Sequence, residues 1–283
     1  MKHVFSILFF LLIFKLTFTQ SGHQVELDSL KNLSTILYGF YDDSVKLSTN
    51  SQVNEIIEGV LSNEASNFFP FDSIKFAKTL EPEDKSFRII SWMIPLKEHQ
   101  FRYYSWVQTN DKNSGTQLFP LVYSHLKPGD NETYTAENWP GGVYYKLIEK
   151  KRPEGILYTL FSWMDTKPGL GTKVIESMIF DSTGNPVFGI PVFSMPKGKV
   201  SNRIIFEFTD EVPFHLSYEK QAHPSLKRKK TEMIVFNHLT GNDPRMGKMF
   251  TSPVPDYSTF DAFIFENGSW VYYHNLDVRF HED

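Results

Sequence analysis

Hydrophobic and polar positions alternate along this chain in two regimes. From residue 24 to 64 the period is helical: Leu27, Leu30, Leu33, Leu37 and Phe40 recur at three- and four-residue steps. Val53, Ile56, Ile57, Val60 and Leu61 do the same. Each set makes one apolar stripe, the mark of an amphipathic helix that buries one side. Ser48, Thr49, Asn50 and Ser51 lie between the stripes and supply N-cap candidates, so two helices are predicted with the break there.

Beyond residue 72 the period shortens to that of strands. Runs rich in aromatic and β-branched residues cover Ser86 to Pro95, Phe101 to Gln108, Val143 to Glu149 and Ile156 to Met164. Others cover Val174 to Phe180, Pro186 to Phe193, Arg203 to Phe208, Phe214 to Tyr218, Glu232 to Phe236, Ala262 to Phe265 and Trp270 to Tyr273. Short turns join most of them, which predicts antiparallel meanders. The fold expected is mainly β: an antiparallel sandwich or partly open barrel with two N-terminal helices. Asn267-Gly268 is the strongest turn signal, since both residues accept the positive φ of a type I′ hairpin. That turn pairs Phe265 with Trp270, Phe263 with Tyr272 and Ile264 with Val271.

A small repeat runs through the strands. Ser91-Trp92, Ser105-Trp106, Ser162-Trp163 and Ser269-Trp270 each put a small hydroxyl on one face and an indole on the other. Recurrent β packing explains this. A small β-propeller is the alternative, although the spacings miss the repeat of about 40–50 residues that blades require.

Before the helical region, Lys2 and His3 precede a run from Val4 to Phe14 whose single polar residue is Ser6, and Leu16-Thr17-Phe18-Thr19 ends in small residues. This is the layout of a secretory signal peptide, and the run is shorter than the about 20 residues of a membrane span. The expected organisation is a signal peptide over 1–19, a helical segment over 20–68 and an antiparallel β domain over 69–283. The expected location is periplasmic or secreted, with no transmembrane segment after the signal.

Composition narrows the chemistry. The chain has 283 residues, no Cys, 29 Lys+Arg against 33 Asp+Glu, and a net charge of -4. Thiol catalysis, disulfides and zinc–thiolate sites are thereby excluded, and nucleic acid is not an expected partner of a mildly acidic chain.

Phe87 to Trp92, Trp139 to Ile148, Phe180 to Gly189, Met233 to Leu239 and Asp261 to Phe265 form a set of strand and turn segments. Together they resemble a family of exported β-rich proteins of Bacteroidota-type bacteria that has no assigned activity. The resemblance implies an envelope or secreted location. It also makes the sequons at Asn32, Asn131 and Asn267 incidental, and it carries over no site residues.

Catalytic motifs do not emerge. Gly241 to Lys248 misses a P-loop, because the glycine spacing is too long and Met249 follows the lysine. No G-x-S-x-G elbow or H-E-x-x-H helix occurs. His274, Asp277 and His281 suggest metal ligands, but strand alternation puts His274 on the face opposite Asp277 and His281, and those two share their face with the cation of Arg279, which disfavours a metal ion. Asp181 to Asn185 reads as a turn with Gly184 at its left-handed position rather than a calcium loop. Glu207, Asp210, Asp261 and Asp277 are available to a glycosidase-like mechanism, with nothing in the sequence to pair them. Lys227 to Lys230 reads as a solvated loop guarding the Glu232–Phe236 strand as an edge.

The sequence thus assigns no catalytic residue, no metal ligand and no cofactor. The ligand-contact candidates are Trp139, on a loop before Pro140-Gly141-Gly142, with Tyr144 and His238. A loop tryptophan beside glycines can stack on a ligand or plug the core. The function expected is a non-catalytic binding module for an envelope or extracellular glycan, peptide or protein. The alternatives are a hydrolase with dispersed carboxylates and a structural part of an envelope assembly.

Overall fold

The computed structural model describes residues 23–63, 69–111, 115–167, 169–226, 228–240, 253–276 and 278. Residues 1–19, where a signal peptide is expected, the Gly241–Lys248 stretch, Lys227, Asp277, Arg279 and His281 lie outside them. The chain is mainly β, with two N-terminal helices and predominantly antiparallel sheets. It divides into two compact units at Pro120/Leu121. No described helix is long and apolar enough to cross a membrane.

The first unit holds α1 (23–37), α2 (Asp43–Leu61) and a four-stranded sheet in the order β1 (Lys78–Leu80), β2 (Phe87–Pro95), β3 (Phe101–Asp111), β4 (Gly115–Leu121). Leu27, Leu30, Leu37, Val53, Ile57, Val60 and Leu61 of the predicted stripes are buried against Ile90, Trp92, Ile94 and Trp106 of the sheet, and Leu33 and Ile56 are partly buried there. Phe40, expected to continue the first stripe, is instead exposed beyond the end of α1. The break between the helices falls at 38–42 and not at Ser48–Ser51. A Cβ on Gly39 would stand 2.6 Å from the Thr35 carbonyl oxygen, so only glycine permits this tight end of α1. Asp42 then takes the extended N-cap conformation of α2.

The polar run instead lies inside α2, where the sheet uses it. The indole N–H of Trp92 donates to Asn50 Oδ1 at 2.8 Å, and that of Trp106 to Asn54 Oδ1 at 2.9 Å. Asn50 and Asn54 are one turn apart and share a helix face. Lys46, one turn earlier, donates to the Pro95 carbonyl at 3.0 Å. Ser91 pairs directly with Ser105 across β2 and β3, so the first two Ser-Trp pairs share one register.

The second unit contains β5 (Tyr134–Thr135), β6 (Val143–Arg152), β7 (Gly155–Lys167), β8 (Leu170–Phe180), β9 (Pro186–Phe188), β10 (Phe193–Ser194), β11 (Val200–Ser201) and β12 (Arg203–Thr209). It continues with β13 (Leu216–Ala222), β14 (Lys230–Thr240), β15 (Val254–Glu266) and β16 (Ser269–Leu276). One sheet runs β5-β9-β8-β7-β6, with β12 added to β8, and the other runs β11-β10-β16-β15-β14-β13. Leu157, Phe161, Ile175 and Phe206 from the first sheet share a core with Phe193, Ile234, Phe236, Phe263 and Trp270 from the second. The arrangement is a sandwich, and neither sheet forms a propeller blade.

The hairpin register matches the sequence expectation: Phe265 faces Trp270, Phe263 faces Tyr272 and Ile264 faces Val271. Asn267 and Gly268 have φ of 50° and 83°. Two expectations are corrected. Pro186 to Phe193 is two strands in different sheets, because the chain turns away at Gly189, whose φ is 76°. The Glu232–Phe236 strand is no edge, since β14 lies between β13 and β15. The described lysines of that cluster, Lys229 and Lys230, instead lie at the β13–β14 connection.

Candidate functional site

The inner face of the second sheet can be followed strand by strand. On β14 it reads Ile234, Phe236, His238; on β15 Phe265, Phe263, Asp261; on β16 Trp270, Tyr272, His274. Alternate residues of a strand share a face, so each apolar row ends in a titratable side chain. At this end of the sandwich the three strands bring those ends together. Register shifts occur here, between Asn237 and His238 on β14 and between Phe260 and Ala262 on β15. Asn275 takes a positive φ of 57°.

Asp261 is the centre. Its carboxylate is buried, and four groups donate to it. His238 Nδ1 lies 2.7 Å from Oδ2, and the Tyr272 hydroxyl donates to the same oxygen at 2.7 Å. His274 Nδ1 lies 2.8 Å from Oδ1, which also accepts the Asn275 backbone N–H at 3.1 Å. A carboxylate accepts about four hydrogen bonds and donates none when ionised, so both histidines carry their proton on Nδ1. Burial opposes the charge, yet the bonds from His238, Tyr272 and Asn275 outweigh it and hold Asp261 below its ordinary value. Burial, and then the same contact, pushes the Tyr272 phenol up.

The rings themselves are accessible. The His238 side chain is 37% exposed and that of His274 59%, against 3% for Asp261. Their centroids are 5.2 Å apart at 65°, and His274 stacks on Tyr272. With Nδ1 turned inward, each Nε2 points away from the carboxylate. One ligand atom from each of His238, Asp261 and His274 lies within 4.8 Å of the others, so the set could hold a metal ion. Sequence reasoning assigned no such set. Strand alternation separates His274 from residues further along its own strand, whereas its partners come from β15 beside it and from β14 one strand beyond.

The other ligand-contact candidates lie elsewhere. Trp139 and Tyr144 are both 0% exposed, which leaves neither ring a free face for a ligand. The Trp139 indole donates to the Tyr144 hydroxyl at 2.8 Å, and that hydroxyl donates to Glu176 Oε1 at 2.5 Å. Glu176 in turn is paired with Arg203, which is fully buried and also donates to the Glu132 carbonyl at 2.8 Å. Burial, and then the charge of Glu176, raises the Tyr144 phenol well above its ordinary value. Trp139 therefore plugs the core. The close approach that Gly142 permits, at φ 121°, is to Ser162 of the same chain.

The remaining sequence candidates resolve locally. Asp181 accepts from Thr183 and Asn185, and Gly184 has φ 84°, so this segment is a side-chain-capped turn. Glu207 pairs with Lys127 at 2.9 Å. Compared with known proteins, the chain matches no family model, no curated protein and no solved structure.

Proposed function

We propose that this chain is an exported, non-catalytic binding protein whose ligand is taken by the imidazoles of His238 and His274. One observation supports this above the rest: two solvent-accessible rings are held in fixed orientation by a single buried carboxylate. Ordered polar groups at the mouth of an apolar core are what a binding site requires, because orientation is set before the ligand arrives. The export part of the reading rests on the signal-like pattern of residues 1–19.

The test presents the purified chain and its H238Q/H274Q variant with immobilised glycans, peptides and divalent ions. A ligand retained by the native chain and released by the variant, at unchanged melting temperature, is the expected result. Equal retention by both would overturn the assignment of the site.

A hydrolytic reading has one observation in its favour. A carboxylate bound to His Nδ1 is also how a general base is oriented. Asp261 itself is saturated by donors and is unsuited to acid–base work, so the base would be His238 or His274. Turnover of model esters or glycosides, abolished in H238Q or H274Q, would replace the binding reading with this one.

A further inference from the structure

We infer that His238, Asp261 and His274 form a binding site for a single divalent d-block cation of the zinc, copper or nickel type. The inference rests on the preceding reading of this cluster as the ligand site, and it names the ligand class. The chemistry of the donor set selects the ion. Two imidazole nitrogens suit zinc, copper(II) and nickel(II), whereas magnesium and calcium favour shells of oxygen.

The geometry brings the donors together. One ligand atom from each of His238, Asp261 and His274 lies within 4.8 Å of the others, and the two rings stand 5.2 Å apart, centroid to centroid. The ring nitrogens that face Asp261, Nδ1 of His238 and Nδ1 of His274, lie 2.7 and 2.8 Å from its carboxylate oxygens. An ion at that junction would take Nδ1 from each ring and an oxygen from Asp261, each ring's proton moving to its exposed Nε2. The Asp261 charge favours the cation, and water would complete the shell at the exposed side. The Asp256 carboxylate is close enough to His238 for the two to interact electrostatically, which adds to the attraction for a cation.

The experiment titrates the full, tag-free, metal-stripped chain with zinc, nickel, copper(II), magnesium and calcium salts by calorimetry. One saturable site for the first three ions and none for the last two is expected. H238Q and H274Q should each weaken zinc binding at least tenfold. The largely exposed His274 makes H274Q the variant least able to perturb folding. D261N, which removes the carboxylate ligand, should weaken binding at least tenfold. Copper(II) should show two nitrogen couplings by electron paramagnetic resonance in the native chain and one in H274Q.

Absence of saturable binding, or unchanged affinity in the H238Q/H274Q variant, would overturn the cation site. If ions fail to bind while a glycan or peptide is still released by the double variant, the cation assignment alone falls. If nothing depends on the two imidazoles, both readings fall.

Discussion

The indole of Trp92 donates to a side chain 42 residues earlier in the chain, Oδ1 of Asn50, at 2.8 Å, and both residues are buried. The bond satisfies the one polar atom of a ring that is otherwise core. Asn50→Ala would leave that N–H buried without its acceptor, at a cost of about 1–3 kcal/mol. Chemical denaturation should show the loss. Adding Trp92→Phe to it should cost less than the sum of the two single changes, because the second change removes the orphaned donor.

The β15–β16 turn depends on backbone conformation alone. A Cβ on Gly268 would meet only the Arg152 side chain, at 3.8 Å, which is ordinary contact. Gly268→Val should therefore destabilise through the positive φ, by about 1–2 kcal/mol. A melting temperature equal to the native one would contradict this.

Glu176 and Arg203 face each other across β8 and β12 and are both buried. Breaking one partner of such a pair costs about 3–5 kcal/mol, since the other charge stays buried without compensation. Glu176→Gln should lower stability by that order in urea unfolding. A loss below about 1 kcal/mol would place the Arg203 charge chiefly on its carbonyl partners.

Stability should also depend on pH through His215. Burial lowers its affinity for protons, Lys173 adds to the effect, and Glu219 opposes it. Its ring lies 2.9 Å from the Ser217 hydroxyl and meets Phe260 edge-on. The unfolded chain, with an ordinary histidine value of 6.5, then binds more protons than the folded one. The contribution is complete above that value and is lost as pH falls from it through the lower folded value. The melting temperature of His215→Gln, followed from pH 7.5 to 5, should fall less steeply than that of the native chain.

Much of this architecture is written in local pattern. The apolar stripes of α1 and α2 and the pairing of Phe263 with Tyr272 follow from period and turn chemistry. Carried one step further along the hairpin, the same register sets Asp261 against His274, so two members of the site were within reach of the sequence. His238 was not. Its place beside Asp261 depends on how β14 aligns with β15, and no tight turn links those strands to fix the alignment. Tertiary bonds hid the rest. Ser48 to Ser51 look like a helix start until Trp92 claims Asn50, and Trp139 looks like a loop platform until Tyr144 and Glu176 draw it inward.

The Arg203 guanidinium bears on the order in which the second unit assembles. A Cβ on Gly189 would stand 2.3 Å from it, and its partners come from β8 and from the backbone around Glu132. An arginine surrounded by only part of this set would be stranded away from water, so half-built versions of the site are disfavoured. The β6–β7–β8 meander can form early, whereas the addition of β12 must wait until the Glu132 segment and the Gly189 bend are in place. Amide exchange in β12 and around Glu132 should therefore proceed through one shared opening event, slower than the exchange of nearby turns.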